Sequence, residues 1–193
     1  MFGLDSVVGY IDETPEKQGK RVGKKKVLGG FDWFDDKDPR DFQAIVALSP
    51  KSKRIMVQKA LAIGLNFPNL IHPRAWISPS ISMGKGNIVL PNAVITAEAR
   101  IQDFNLFHVG SLITHYARIA SYCFFGPHVR LLEDSVVEEG VFLGSGCVLV
   151  GGVTVGSWAR VGANAVVNRD VEPDATVVGL PAAPVGQPRV TGS

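Results

Sequence analysis

The sequence predicts a mainly β fold, a parallel β-helix preceded by a small α/β domain. An aliphatic or aromatic residue recurs at every sixth position from Ile71 to Val167 without interruption. The residue two positions earlier is usually small, and Gly often follows the apolar residue. Hydrophobic residues make up 46% of the 193-residue chain, which is enough apolar material for a packed core. A short, fixed period of this kind is typical of a repeat fold.

Residues 1–66 follow a different pattern and are predicted to form the small α/β domain. VVGYID and FQAIVAL read as strands, with a charged loop and VLGG between them. A helix should follow, because Ser49 can act as its N-cap, Pro50 suits its first turn and Gly64 can end it. Its buried face would contain Met56, Ala60 and Ile63. The segment is short for a complete nucleotide-binding unit, and no glycine-rich strand-to-helix loop precedes VVGYID, so the usual phosphate cradle is missing.

Residues 67–185 are predicted to form the solenoid, and residues 186–193 a C-terminal tail. Each hexad would supply one short strand with its apolar and small residues pointing inward. Three hexads close one triangular coil of eighteen residues, which adds about 4.8 Å along the axis. Residues eighteen apart should then stack in inner columns, such as Phe107, Phe125, Leu143 and Val161.

Charge and composition exclude several classes of protein. The net charge of +2 is too small to indicate nucleic-acid binding. No apolar run reaches the roughly 20 residues of a membrane span, and the first residues lack the layout of a signal peptide, so a cytoplasmic protein without membrane insertion is expected. Cys123 and Cys147 are predicted to be buried, reduced thiols, because two distant cysteines do not form a metal signature.

The hexads resemble those of the left-handed β-helix, hexapeptide-repeat acyltransferases, and the flanking segments are similar to the sialic-acid and bacillosamine-type sugar O-/N-acetyltransferases. VVGYIDE resembles the family's strand ending in an acidic pair, and LIHPRAWISPS the start of its solenoid. SLITHYARI resembles its histidine segment, and VVGLPAAPV its C-terminal part. The resemblance implies a left-handed solenoid, a homotrimer, acetyl-CoA in a groove between neighbouring subunits, and a histidine that deprotonates the amine or hydroxyl of a sugar, which is usually nucleotide-linked.

By this resemblance His115 is the general base, two residues after the inward-pointing Ile113 and therefore near a corner of the coil. The family usually places an acidic residue next, where this chain has Tyr116. Glu133 follows His115 by eighteen residues and should lie one coil away. It either orients His115 and raises its basicity, or is a solvated glutamate that narrows the groove.

The resemblance also implies binding residues for both substrates. Four residues would lie near the pantetheine arm of acetyl-CoA, where glycines at successive coils would expose backbone amides: Gly144, Ser145, Gly162 and Ala163. The alternative is that these glycines serve only the turns. The resemblance implies that residues 1–66 are a truncated, degenerate nucleotide-sugar-binding domain, in which Asp12 and Glu13 match the acidic pair that reaches the nucleotide. The alternative is that they form an ordinary loop after a strand.

Two other functions are kept as alternatives. A non-catalytic trimeric scaffold would explain the missing N-terminal loop, and also Phe124 at a position where related enzymes can carry a histidine. A zinc hydratase similar to γ-class carbonic anhydrases would need three histidines, but the spacing of His72, His108 and His115 argues against it, and no metal is expected. The acceptor sugar and the choice between N- and O-acetylation are left open.

Overall fold

The computed structural model describes residues 7–185. Residues 1–6 of the predicted α/β domain and the predicted tail, residues 186–193, lie outside the described residues. The described residues form two compact units: one combines residues 7–44 with residues 57–66, and the other combines residues 45–56 with residues 67–185. The division into domains at residue 66 stays a prediction.

The first unit contains a three-stranded sheet in the order β1-β3-β2, built from Tyr10–Ile11 (β1), Arg21–Val22 (β2) and Lys25–Gly29 (β3). Short 3-10 helices lie at Pro15–Lys17, Phe31–Phe34 and Pro39–Asp41.

The prediction of a strand at FQAIVAL is wrong. Among the described residues this run makes one isolated bridge, between Gln43 and Asn66. Ile45 and Leu48 are 47% and 44% exposed, so the apolar run has no sheet partner against which to pack. An apolar run of this length therefore did not identify a strand.

The helix α1 spans Pro50–Ala62, as the capping residues predict. The backbone N–H of Lys53 donates to Ser49 O at 2.8 Å, and Gly64 adopts a φ of +94° just beyond the helix. The predicted buried face is wrong at one position, because Ile63 follows the last helical residue and is 37% exposed. Lys53 is buried on that face instead, and its Nζ donates to the backbone oxygen of Phe104 at 3.0 Å.

The rest of the chain forms three sheets of short strands, in which the solenoid strands pair in parallel. The first sheet contains Leu70–Ile71 (β4), Ile88–Val89 (β7), Leu106–Phe107 (β10), Phe124–Phe125 (β13), Phe142–Leu143 (β16) and Arg160–Val161 (β19), with Thr176–Val178 (β21) and Ala183–Pro184 (β22) at its end. The second contains Trp76–Ile77 (β5), Val94–Ile95 (β8), Leu112–Ile113 (β11), Arg130–Leu131 (β14), Val148–Leu149 (β17) and Val166–Val167 (β20). The third contains Ser82–Met83 (β6), Arg100–Ile101 (β9), Arg118–Ile119 (β12), Val136–Val137 (β15) and Thr154–Val155 (β18).

This architecture is a left-handed parallel β-helix, and the eighteen-residue register predicted from the hexads is confirmed. Phe107 pairs with Phe125, Phe125 with Leu143 and Leu143 with Val161. Every sixth residue from Val89 to Val167 is at most 4% exposed. Ile71 is 45% exposed, because it lies in the first coil, where no earlier coil covers it.

The three sheets are joined by four-residue corners that have the geometry of type II turns. We call the corner after the first sheet the first corner, the one after the second sheet the second corner, and the one after the third sheet the third corner. The third residue of most corners has a positive φ, for example 61° at Tyr116 and 60° at Asn92. A type II turn requires this conformation at its third residue and accepts Pro at its second. The fourth residue then returns the chain into the next strand.

A ladder of asparagines fills part of the interior where the hexad pattern usually has a small residue. Asn87 and Asn105 are fully buried. Asn69 Oδ1 accepts from the backbone N–H of Asn87 at 2.9 Å, and Asn87 Oδ1 accepts from that of Asn105 at 2.9 Å. Asn105 Oδ1 accepts from the N–H of Cys123 at 2.8 Å. Each amide thus joins one coil to the next inside the core.

Candidate functional site

His115 lies on the second corner, between β11 and β12, at the second position of the turn. The side chain is exposed, and its ring meets the edge of the Tyr116 ring, with centroids 5.3 Å apart and planes at 90°. Tyr116 is 54% exposed. A histidine at this place is open to a substrate, and its ring contacts one aromatic neighbour.

Glu133 occupies the equivalent place one coil further along, as the register predicts. Ile113 pairs with Leu131, and the N–H of Asp134 donates to the backbone oxygen of His115 at 3.3 Å. The carboxyl group of Glu133 lies beside Gly151, on the side away from His115. Among residues 7–185 no hydrogen bond joins the two side chains, so orientation of His115 by Glu133 stays a prediction.

The backbone N–H groups at the second position of the second corner have no acceptor. Four such groups follow one another along the solenoid, at Ala97, His115, Glu133 and Gly151, and none donates to an acceptor in the described part of the chain. Unpaired backbone donors are uncommon unless water or a ligand reaches them. This corner therefore presents a row of open donors beside the histidine.

The first corner has only two such donors, and they belong to residues singled out in the sequence. Ser145 and Ala163 occupy the second position in adjacent coils, both are exposed, and neither N–H has an acceptor within residues 7–185. In the earlier coils the equivalent residues are prolines, which have no N–H, or Val109, whose N–H donates to His108 Nδ1 at 2.9 Å. The open donors of this corner are therefore confined to its last two coils.

The expectation that Gly144 and Gly162 expose their amides is wrong. Their N–H groups donate to the backbone oxygens of the following coil, at 2.8 Å each. A Cβ on Gly144 would lie 2.6 Å from the N atom of Ala163, so glycine is required for the coils to stack this closely. Ser145 and Ala163 offer the free amides instead.

The third corner differs, because side chains satisfy several of its donors. Lys85 N–H donates to Asp103 Oδ1 at 2.7 Å, and Asp103 N–H to Ser121 Oγ at 3.2 Å. Ser157 N–H donates to Glu138 Oε2 at 2.9 Å. Several backbone donors of the third corner are therefore paired, whereas the four donors of the second corner have no acceptor among the described residues.

Phe124, which stands where related enzymes can carry a histidine, belongs to an aromatic column on the outer face of the first sheet. Its ring is stacked on that of Phe142, with centroids 4.8 Å apart and planes at 4°. The guanidinium of Arg160 lies 4.5 Å from the Phe142 ring centroid. This contact is a favourable packing of half-buried rings, which a histidine would alter.

The acidic pair in the first unit makes contacts within that unit. Asp12 Oδ2 accepts from Lys17 Nζ at 2.9 Å, and this hydrogen bond lowers the pKa of Asp12 to about 2. Glu13 Oε1 accepts from the N–H of Phe31 at 2.9 Å, which lowers its pKa. Both groups are therefore carboxylates at neutral pH. Their contact with a nucleotide stays a prediction.

Three other histidines lie at the first corner, and two of them accept hydrogen bonds from the backbone. His72 Nδ1 accepts from the N–H of Arg74 at 3.1 Å, just as His108 Nδ1 accepts from that of Val109. Within residues 7–185 no three histidine, cysteine or acidic side chains converge to hold a metal ion. No helix in the same range is long and apolar enough to cross a membrane.

Comparison with known proteins identifies acetyltransferases, among them sugar and serine acetyltransferases. The bacterial transferase hexapeptide (six repeats) model matches residues 134–169. GDP-perosamine N-acetyltransferase of Escherichia coli O157:H7 is 25% identical over 151 residues, which cover 78% of this chain and 67% of that protein. The acetyltransferase domain of PglB from Neisseria gonorrhoeae FA1090, solved with acetyl coenzyme A, superposes with a TM-score of 0.85 at 28% identity, covering 94% of this chain and 89% of that one. PerB from Caulobacter crescentus, solved with CoA and GDP-perosamine, has a TM-score of 0.81 and 31% identity, covering 86% of this chain and 81% of that one.

Proposed function

The chain belongs to the left-handed β-helix, hexapeptide-repeat family of sugar acetyltransferases, and on that basis we propose that it acetylates the amine of a nucleotide-linked amino sugar with His115 as the general base. The identity with PerB carries the family assignment. The protein is an acetyl-CoA-dependent acyltransferase. An amine is favoured over a hydroxyl as the acceptor because a similar curated protein is a GDP-perosamine N-acetyltransferase.

The exposure of His115 supports its role as the base. A neutral imidazole accepts the proton that the amine releases when it attacks a thioester, and such a base contributes about 10²- to 10⁴-fold to the rate. Acetyl-CoA supplies the activated acetyl group when bound. The edge contact of Tyr116 holds the His115 ring in a narrow range of orientations, a task that an acidic neighbour performs in the family.

The open donors of the second corner suit the charge that develops during acyl transfer. A backbone N–H aimed at the carbonyl oxygen stabilises the oxyanion of the tetrahedral intermediate. The N–H of Glu133 lies one coil from His115 and has no acceptor among the described residues, so we assign it this role. The Glu133 carboxylate keeps its two predicted alternatives, orientation of His115 or narrowing of the groove.

The open donors of the first corner suit the pantetheine arm. This arm is an extended chain with two amides, and the N–H groups of Ser145 and Ala163 are one coil apart, about 4.8 Å. Each can donate to a pantetheine carbonyl without losing a bond within the protein. Gly144 and Gly162 contribute by keeping the adjacent coils close enough to form a continuous edge.

A homotrimer would bring the two corners together across a subunit groove. The outer face of the second sheet is largely apolar, with exposed or half-buried side chains at five of its six strands: Trp76, Val94, Leu112, Val148 and Val166. Burial of such a face between subunits stabilises an oligomer. Sedimentation equilibrium should give three times the 20.7 kDa chain mass.

We also propose that the protein is located in the cytoplasm and that Asp12 and Glu13 contact the nucleotide of the acceptor.

Substitution of the base tests the function. His115→Asn should lower kcat/KM for a nucleotide-linked amino sugar by about 10²- to 10⁴-fold. Acetyl-CoA binding, measured by calorimetry, should stay unchanged, and His72→Asn should behave like the parent protein. Activity of His115→Asn within a few-fold of the parent would remove His115 as the general base.

A non-catalytic scaffold is the second candidate, and Phe124 is the observation that favours it. An aromatic ring stacked on Phe142 replaces a group that can act in related enzymes. A thermal-shift titration separates the two functions, because acetyl-CoA at a hundredfold over its dissociation constant should stabilise an acetyltransferase by about 2.7 kcal/mol. Absence of any shift, together with absence of acetylation, would favour the scaffold.

A further inference from the structure

Two arginines face each other on the outer surface of the third sheet. Arg100 in β9 pairs directly with Arg118 in β12, and both side chains are exposed. Adjacent strands lie about 4.8 Å apart, so two like charges are held side by side on a flat surface. Like charges directly opposite each other destabilise a sheet. The pair therefore has an energetic cost that the fold itself does not require.

Neither guanidinium is neutralised within the described chain. The salt bridges among residues 7–185 involve other groups, and neither arginine lies over an aromatic ring. Neither side chain makes a hydrogen bond to another part of that range, although Arg40 and Arg54 do find carboxylates. All the donors of Arg100 and Arg118 are thus available to an external anion.

The pair lies next to the proposed catalytic corner. Arg118 follows His115 by three residues, and Arg100 follows Ala97 by three, each on the strand that leaves the second corner. Three residues span at most about 11 Å, so the Cα atoms of His115 and Arg118 are no further apart than that. An arginine side chain can cover much of this distance, and a pyranose ring attached to a phosphate is of similar length.

We propose that Arg100 and Arg118 bind the diphosphate of the nucleotide-linked acceptor while its sugar amine lies at His115. The inference rests on the proposed function, because it names how that function's acceptor is held. Guanidinium groups bind phosphate oxygens through two parallel hydrogen bonds, and two of them a coil apart match the two linked phosphates of a nucleoside diphosphate. Acetyl-CoA also carries phosphates, so the test must distinguish the two substrates.

Steady-state kinetics of Arg100→Gln and Arg118→Gln provide that distinction. Each variant should raise KM for the nucleotide-linked amino sugar about 10- to 100-fold. KM for acetyl-CoA, and kcat/KM for the free amino sugar that lacks the diphosphate, should not change. Arg118→Lys keeps the positive charge but lacks the planar guanidinium. Its KM for the nucleotide-linked amino sugar should therefore lie between the values of the parent and Arg118→Gln. Lys51→Gln removes one exposed charge from α1 and is the matched control.

Inorganic pyrophosphate gives a readout that does not depend on activity. It should bind the parent protein by calorimetry and bind Arg118→Gln at least tenfold more weakly. Equal binding to both proteins would overturn the inference, and so would a rise in KM for acetyl-CoA instead of the acceptor. If no amino sugar is acetylated but pyrophosphate binding still depends on Arg118, the proposed function fails and the anion site stands. Because each substitution relieves the like-charge contact, both variants should be at least as stable as the parent.

Discussion

Replacing Asn105 by alanine should destabilise the solenoid, although the residue lies outside every proposed site. Asn105 is fully buried, and its side chain makes two hydrogen bonds inside the core. Oδ1 accepts from the N–H of Cys123 at 2.8 Å, and Nδ2 donates to the backbone oxygen of Gln102 at 3.2 Å. Alanine removes both bonds and leaves a cavity between two coils.

The expected loss in free energy of unfolding follows from the backbone groups that the substitution leaves without a hydrogen-bond partner. A buried N–H without an acceptor costs about 1–3 kcal/mol. The Gln102 oxygen still accepts from Asn87 Nδ2 at 3.0 Å, so losing the hydrogen bond from Asn105 Nδ2 costs less free energy. In other coils the equivalent N–H donates to the backbone oxygen of the first residue of its corner, for example Ala159 N–H to Gly156 O at 3.2 Å. The N–H of Cys123 can form the same bond in the variant, which would reduce the loss of stability. With the cavity added, the expected loss is about 2–4 kcal/mol.

Thermal unfolding at a fixed protein concentration measures this loss. For a chain of this length about 2–4 kcal/mol corresponds to a fall in Tm of roughly 4–16 °C. Asn168→Ala, at an exposed asparagine, is the matched control and should stay within about 0.5 kcal/mol of the parent. Asn105→Val fills much of the cavity but cannot accept a hydrogen bond, so it should recover only part of the loss. Unfolding of Asn105→Ala at the same temperature as the control would refute a stabilising role for the ladder.

Three further predictions follow from single contacts. Burial lowers the pKa of Lys53 to about 8, so between about pH 8 and 10.5 the unfolded chain holds a proton there that the folded one has lost, and the contribution of Lys53 to stability rises with pH. Burial raises the pKa of Cys123 and Cys147 to about 12, and their contribution falls with pH above about pH 9. In urea unfolding, the difference in free energy between the parent and Lys53→Met should therefore shift in the parent's favour as pH rises through this window, because the two proteins share the cysteines and differ only in the lysine; a difference that does not change with pH would contradict it. Gly144→Ala should cost about 2 kcal/mol or more in the same assay, because its Cβ meets the next coil, whereas Ser145→Ala should be neutral. Tyr116→Ala should lower kcat about tenfold through misorientation of His115, while Tyr116→Phe keeps the ring and the rate; equal rates in both variants would count against this positioning role.

The fold could be predicted from the sequence because every coil of a solenoid repeats the same pattern of apolar residues. The inward residues from Val89 to Val167 obey one period, and that period alone sets the strands, the sheets and the stacking of Glu133 on the coil of His115. The run containing Ile45 and Leu48 has no such repetition, and its apolar character did not reveal that it lacks a sheet partner. The asparagine ladder was also missed, since a polar residue at an inward position breaks the pattern on which the prediction depended.

The site was only partly predictable, because part of its proposed chemistry belongs to the backbone. The sequence points to His115, yet it cannot show which N–H groups have acceptors. Gly144 drew attention as a small residue, but its amide is paired with the next coil. Ser145 and Ala163 carry the free amides, and only a full account of the hydrogen bonds separates them from the glycines. The prolines at earlier coils were the one available signal, since they mark where a donor is lacking.

The type II geometry of the corners gives this solenoid an unusual way to change what it binds. Proline fits the second position of such a turn, and it already occupies that position at Pro73, Pro91 and Pro127 on the first corner. An exchange between proline and any other residue there removes or adds one backbone donor and leaves the coil intact. A lineage of such proteins can therefore lengthen, shorten or move its row of amide donors by a whole coil through single substitutions, without altering the core.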